Sequence, residues 1–223
     1  THSVFVYEQN WTLRSTKTAG PSGGRYIESK HAQARAYLSF VGADTVTLYG
    51  IAKSTYGAAD IYVDGTLYGS LYLKGPAYRS IPYTVTGLDA GAFHTLEVRI
   101  HSEKGYAKTI ALDKVALYNK PVLSPGHYEN NALVGSNPAL QFSGQWTETS
   151  DARASGTSYH GSEGMSWKTY QAAPVVEAVF EVTGATSVVV YHRQYKKYGM
   201  VDVYVDGSYH SSFNSYAASP LAG

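Results

Sequence analysis

Apolar and polar residues alternate with a period of two along much of this chain. Residues 34–40 (Ala-Arg-Ala-Tyr-Leu-Ser-Phe) do so before a turn at Gly42, residues 45–50 follow, and residues 59–63 end at Asp64-Gly65. That period belongs to strands with one buried face, not to helices. Aspartate followed by glycine tolerates positive φ, so Asp64-Gly65 predicts a tight hairpin with residues 67–72 as the returning strand. Further strands are predicted at residues 83–85 and, after the turn Gly87-Leu88-Asp89-Ala90-Gly91, at 94–100 and 110–117, and these are expected to close two antiparallel sheets.

The pattern occurs twice. Gly57-Ala58-Ala59-Asp60-Ile61-Tyr62-Val63-Asp64-Gly65 returns as Gly199-Met200-Val201-Asp202-Val203-Tyr204-Val205-Asp206-Gly207, an offset of 142 that also carries Gly42 onto Gly184, Val46 onto Val188, Tyr49 onto Tyr191 and Tyr56 onto Tyr198. Trp11 and Trp146 stand upstream of these hairpins, the second at a distance about seven residues longer; insertions of that size belong in loops. The predicted fold class is therefore all-β: two tandem antiparallel sandwiches, residues 1–118 and 128–223, joined by a linker at 119–127 that holds Pro121, Pro125 and Gly126. The opening strand of the first copy is expected upstream of Thr1. The second copy lacks counterparts of residues 82–118, about three strands. Two explanations stay open: the chain is a piece of a longer repeat array, or strands of another chain complete it in a homopolymer built by strand complementation.

Composition narrows the function. Lys and Arg number 18 against 17 Asp and Glu, so no field draws in nucleic acid. No apolar run reaches the length of a membrane span, and the absence of cysteine excludes disulfides and thiolate sites. Twenty-one tyrosines and 22 glycines suit strands and turns. Catalysis needs a nucleophile with a base, or a carboxylate pair in a cleft. Asp64 and Asp206 have a sufficient explanation in their hairpin turns, with Asp60 and Asp202 on the preceding strands, and His94 and His101 fall on opposite faces of one strand, which is poor metal geometry. The chain is expected not to be an enzyme.

Sugar recognition stacks an aromatic ring on the apolar face of a sugar while polar side chains fork onto its hydroxyls. The candidates of that composition are Tyr56, Tyr78, Arg79 and Tyr106 in the first copy and Arg193, Tyr195 and Tyr198 in the second. Trp11 and Trp146, at equivalent positions, are read as core.

A tryptophan, the turn Ser22-Gly23-Gly24, a strand ending at Phe40-Val41-Gly42, the hairpin at Asp64-Gly65, Gly87-Leu88-Asp89-Ala90-Gly91 with His94-Thr95-Leu96, and Leu112-Asp113 follow one another in an order that resembles the galactose-binding-like, jelly-roll β-sandwich modules of bacterial secreted glycosidases, lyases and surface proteins. The second copy departs from it at Ser155-Gly156-Thr157. The resemblance implies a secreted or cell-surface location and carbohydrate binding. It also implies a structural calcium, with Glu129 and Asp113 as the matching residues, although these fall in different copies. The expected function is a non-catalytic, tandem carbohydrate-binding module of a larger protein. The alternative is a structural unit of an extracellular fibre, sheath or adhesin stalk.

Overall fold

The computed structural model describes residues 5–18, 20–75, 78–102, 107–128, 132–150, 158–162, 177–196, 198–218 and 221–222. The architecture is all-β. In chain order the first strands are β1 (Val6–Glu8), β2 (Thr12–Ser15), β3 (Arg25–Ser29), β4 (Arg35–Phe40), β5 (Thr45–Ala52), β6 (Ala58–Val63), β7 (Thr66–Tyr72), β8 (Arg79–Val85), β9 (His94–Ile100) and β10 (Ile110–Tyr118). They form two five-stranded sheets, β1-β4-β9-β6-β7 and β2-β3-β10-β5-β8, with every pairing antiparallel.

Alternation decides which side chains meet between the sheets. Ala36, Leu38 and Phe40 of β4, Ile61 and Val63 of β6 and Leu96 and Val98 of β9 point inward against Val46, Leu48, Tyr83 and Leu112 of the other sheet, and together they form one buried core. The last two strands complete the two sheets from the middle. β9 lies between β4 and β6, and β10 between β3 and β5, so each is the central strand of its sheet. The physical reason is that β4 and β6 each have an edge left over after pairing with β1 and β7, and one strand satisfies both. The hairpin turn is as predicted: Asp64 and Gly65 both have positive φ, 51° and 79°.

The remaining strands are short: β11 (Val122–Leu123), β12 (Leu133–Val134), β13 (Asn137–Pro138), β14 (Gln141–Ser143), β15 (Trp146–Ser150), β16 (Ser158–Ser162), β17 (Glu177–Val179), β18 (Glu181–Val182), β19 (Arg193–Gln194), β20 (Met200–Val205), β21 (Ser208–Asn214) and β22 (Leu221–Ala222). Among the described residues they pair in twos: β11-β18, β12-β13, β14-β17, β15-β16, β19-β22 and β20-β21. Tyr128 lies outside any strand, and residues 129–131 lie outside the described residues.

The stretch after β10 does not swing free of the first sandwich. The Asp44 carboxylate accepts the Lys120 amide, and the Thr45 hydroxyl donates to buried Gln141. Gly144 and Thr84 exchange two backbone hydrogen bonds, and the Gln145 amide bonds both the N–H and the C=O of Tyr72. Residues 141–145 thus cover the side of the sandwich where the edge strands β7 and β8 would otherwise present unpaired backbone.

Candidate functional site

Outward-facing residues of β4, β9 and β6 build a polar surface on the first sheet. Because inward positions alternate with outward ones, Arg35 and Tyr37 share a face with Glu97 and Arg99 and with Asp60 and Tyr62. Arg99 grips Glu97 through two hydrogen bonds, Nε to Oε1 at 2.6 Å and Nη2 to Oε2 at 2.7 Å, and lies 4.0 Å from the centroid of the Tyr62 ring. Arg35 reaches the same carboxylate at 3.4 Å and donates to the Tyr37 hydroxyl at 3.3 Å, which in turn donates to Glu8. Asp60 accepts from the Ser70 hydroxyl and meets His101 Nδ1, each at 2.6 Å. The hydrogen bonds from Arg99 hold the Glu97 carboxyl below its ordinary range, and that carboxylate raises Arg99 in turn.

At the end of this face lies an open cavity of about 410 Å³, lined among others by Glu8, Arg35, Asp60, Tyr62 and Arg99. Two guanidiniums and two carboxylates balance its charge. Arg35 and Arg99 are held by Glu97, Glu8 by the Tyr37 hydroxyl and Asp60 by Ser70 and His101, so the surface offers pre-set donors and acceptors beside an aromatic ring. Such a lining suits an uncharged, hydroxyl-rich ligand better than a strongly charged one.

The residues singled out in the sequence have diverse fates. Tyr56 and Tyr78 do come together, with Lys53 Nζ 5.8 Å from one ring centroid and 5.7 Å from the other. Tyr56 is nevertheless only 3% exposed and part of the core. Its hydroxyl donates to Glu28 at 2.5 Å, and burial, followed by that bond, pushes its pKa up. This corrects its reading as a sugar-stacking residue, because its ring is spent on packing. Gly57 explains the burial: a Cβ there would collide with the Ala107 carbonyl, so only glycine lets the loop fold this closely. Tyr78 is half-buried with φ at 60° and packs on Tyr26 and the core. Arg79 opens β8 and is half-buried. Tyr195 and Tyr198 are half-buried and meet edge-on at 5.9 Å; Arg193 lies in β19, and Tyr106 lies outside the described residues.

Trp11 packs on Tyr7 at 5.2 Å and donates its indole N–H to the Glu8 and Arg35 carbonyls. His94 is buried, with Nδ1 on the Asp64 carboxylate at 2.6 Å and Nε2 on the Asp89 carbonyl at 2.9 Å. Both partners are acceptors, so both bonds form together only when the ring carries two protons; the Asp64 bond raises its pKa accordingly.

Both Asp113 oxygens accept the Ser22 amide at 2.9 and 3.0 Å, and burial raises the carboxyl above its ordinary value. Calcium needs six to eight oxygens. Glu129 lies outside the described residues, and no group of three or more ligating side chains occurs among those described. The described residues do not assemble the calcium site that the resemblance implied. Among them, too, no helix is long and apolar enough to cross a membrane.

The Arg35–Glu97–Arg99–Tyr62 cluster was not singled out in the sequence. Alternation put each residue on an outer face, but the pairing that joins them bridges residues far apart in the chain.

No family model matches the chain. A curated protein of Flavonifractor plautii, A type blood alpha-D-galactosamine galactosaminidase, is 26% identical over 208 residues, which is 92% of this chain and 17% of that protein. Solved structures with similarity include the catalytic domain of Agl-KA, with a TM-score of 0.40, 16% identity and coverage of 57% of this chain and 28% of that one. They also include CsCBM6-3 from Clostridium stercorarium in complex with cellobiose, with a TM-score of 0.36, 16% identity and coverage of 52% and 87%. The expectation that the chain is not an enzyme is corrected by the curated relative, a galactosaminidase matched along 92% of this chain, of which the chain spans 17%.

Proposed function

We propose that this chain is a carbohydrate-engaging β-sandwich portion of a secreted or cell-surface glycan-processing enzyme, and that its sugar site is the outer face of β4, β9 and β6. The observation that carries the reading is the cavity beside Tyr62, where Arg35, Arg99, Asp60 and Glu8 present groups of balanced charge, each held by a neighbour: the two arginines by Glu97, Asp60 by Ser70 and His101, and Glu8 by Tyr37. The similarity to a galactosaminidase directs the choice of sugar toward galactose or galactosamine termini. Repetition of the hairpin in the second half supports a tandem arrangement of two modules.

The test is calorimetric titration of the chain with oligosaccharides ending in α-linked galactose, galactosamine or N-acetylgalactosamine. Binding to at least one, lost in Tyr62→Ala and Arg35→Ala and retained in Tyr78→Ala, is the expected result. Binding that survives Tyr62→Ala and Arg35→Ala would move the site elsewhere, and no binding to any of the three sugars would contradict the reading.

A further inference from the structure

The charged groups that line the cavity beside Tyr62 are each held by a neighbour, but two uncharged ones are not. Gln9 and Gln33 line the same cavity. Among the described residues neither side-chain amide makes a hydrogen bond; Gln33 is bonded through its backbone N–H alone, to His31 Nδ1 at 3.4 Å. The backbone that carries the two amides is held firmly. Glu8 pairs with Arg35 across β1 and β4, so the chain leaves that pair toward Gln9 on one strand and toward Ala34 and Gln33 on the other. The Trp11 indole N–H bridges the carbonyls of the same two residues, at 2.9 Å to Glu8 and 3.1 Å to Arg35. The Ser29 hydroxyl donates to the Asn10 carbonyl at 2.6 Å, and the Ala34 amide to the His31 carbonyl at 2.8 Å. Two unspent amides thus stand on fixed supports at one wall of the cavity.

Gln9 also carries backbone strain. Its φ is 65°, in the left-handed region that costs any residue with a side chain and costs glycine nothing. The same hook precedes the second tryptophan: Trp146 donates to the carbonyl three residues back, as Trp11 does, and the residue two before it is Gly144, with φ at 83°. The turn therefore accepts glycine, yet at the cavity wall it holds a glutamine. Strain retained beside a binding site points to a side chain that is used there.

A primary amide presents one carbonyl acceptor and two N–H donors. Two of them side by side match a ligand group that has both an N–H and a C=O, which is a secondary amide. Ala32 and Ile100 line the same cavity and offer an apolar contact to a methyl group. Amide and methyl together describe an acetamido substituent. A free ammonium would meet two guanidiniums along with two carboxylates, with no net attraction, and a hydroxyl would leave one amide and the apolar contact unused.

We infer, resting on the sugar site proposed above, that Gln9 and Gln33 determine its specificity and select a sugar carrying an acetamido group over the same sugar with an amine or a hydroxyl. The experiment is calorimetric titration of the full chain with three oligosaccharides of one linkage that end in N-acetylgalactosamine, galactosamine or galactose. The N-acetylated end is expected to bind about tenfold or more tighter than either of the others. In Gln9→Gly combined with Gln33→Ala that ratio is expected to fall to about 1. Gln9→Gly alone is expected to lose part of the preference without lowering the thermal unfolding midpoint, because glycine suits φ at this turn. Equal binding of the N-acetylated and galactose ends, tighter binding of galactosamine, or a preference that persists in the double variant would each overturn the inference while leaving the sugar site standing. Failure to bind all three would overturn the sugar site and this inference with it.

Discussion

Residues 58–72 and 200–214 form the same hairpin, with the same bulge, turn and serine–aspartate bond, yet one lies in the middle of a core and the other lies open. Ala59 is fully buried and Val63 nearly so, whereas the matching Val201 and Val205 are exposed. The hairpin itself is therefore a local product of sequence: Asp-Gly turn chemistry and alternation suffice to make it. Burial is not local. It depends on the central strands β9 and β10, which supply the second ladder and the opposing apolar face. An isolated two-stranded ribbon is marginal in water, and a five-stranded sheet packed on another is not.

The largest separation between the halves is expected from charges placed at inward positions. Val98→Asp, in the centre of β9, buries an unpaired carboxylate and is expected to cost more than about 4 kcal/mol, enough to abolish the unfolding transition of the first sandwich. Val205→Asp is expected to shift urea unfolding of the chain by less than about 0.5 kcal/mol, because its side chain already meets water. Next come cavities: Leu48→Ala is expected to destabilise by about 2–5 kcal/mol, and Val190→Ala at the matching position by almost nothing. Equal losses at either pair would break the contrast.

A smaller effect concerns the segment that covers the sandwich edge. Gln145→Ala removes two hydrogen bonds to Tyr72 and is expected to cost about 1 kcal/mol, with faster exchange at the Tyr72 amide as the local readout.

The smallest is a pH dependence confined to the first hairpin. The Asp64 bond raises the His94 pKa, so its contribution is fully present below the ordinary histidine value of 6.5 and is lost as pH rises through the raised folded value. Asp64 is lowered, first by that same bond, so its contribution is present above its ordinary 3.8 and lost as pH falls through the lowered folded value. The bond is thus strongest between about pH 4 and 6.5. Asp64→Asn is expected to flatten the stability profile there; Asp206→Asn is expected to leave it unchanged, since no histidine bonds Asp206 among the described residues. A flat wild-type profile in thermal unfolding would remove the role assigned to His94.

Local grammar was legible in the sequence. Alternation placed β4, β5, β6, β7 and β9 within one or two residues, and Asp64-Gly65 announced its turn. Tyr56 shows where that grammar stops. It reads as a sugar-stacking candidate, but it is drawn under by Gly57 against the Ala107 carbonyl and tied to Glu28, contacts that no local pattern encodes. The polar face failed to emerge for the same reason. Arg35, Glu97 and Tyr62 are each one of many outward residues until β9 is placed between β4 and β6, and that placement depends on a pairing between distant parts of the chain.

The most direct test of this account is native-state hydrogen exchange of the unaltered chain, compared at equivalent amides. The Asp64 amide bonds the Thr95 carbonyl of β9, and among the described residues no strand takes that place beside the matching Asp206 amide. The account predicts that Asp64 and the β9-facing amides of β6 exchange only with global unfolding of the first sandwich, while Asp206 and the matching amides of β20 exchange orders of magnitude faster. Equal protection at the two hairpins would contradict it.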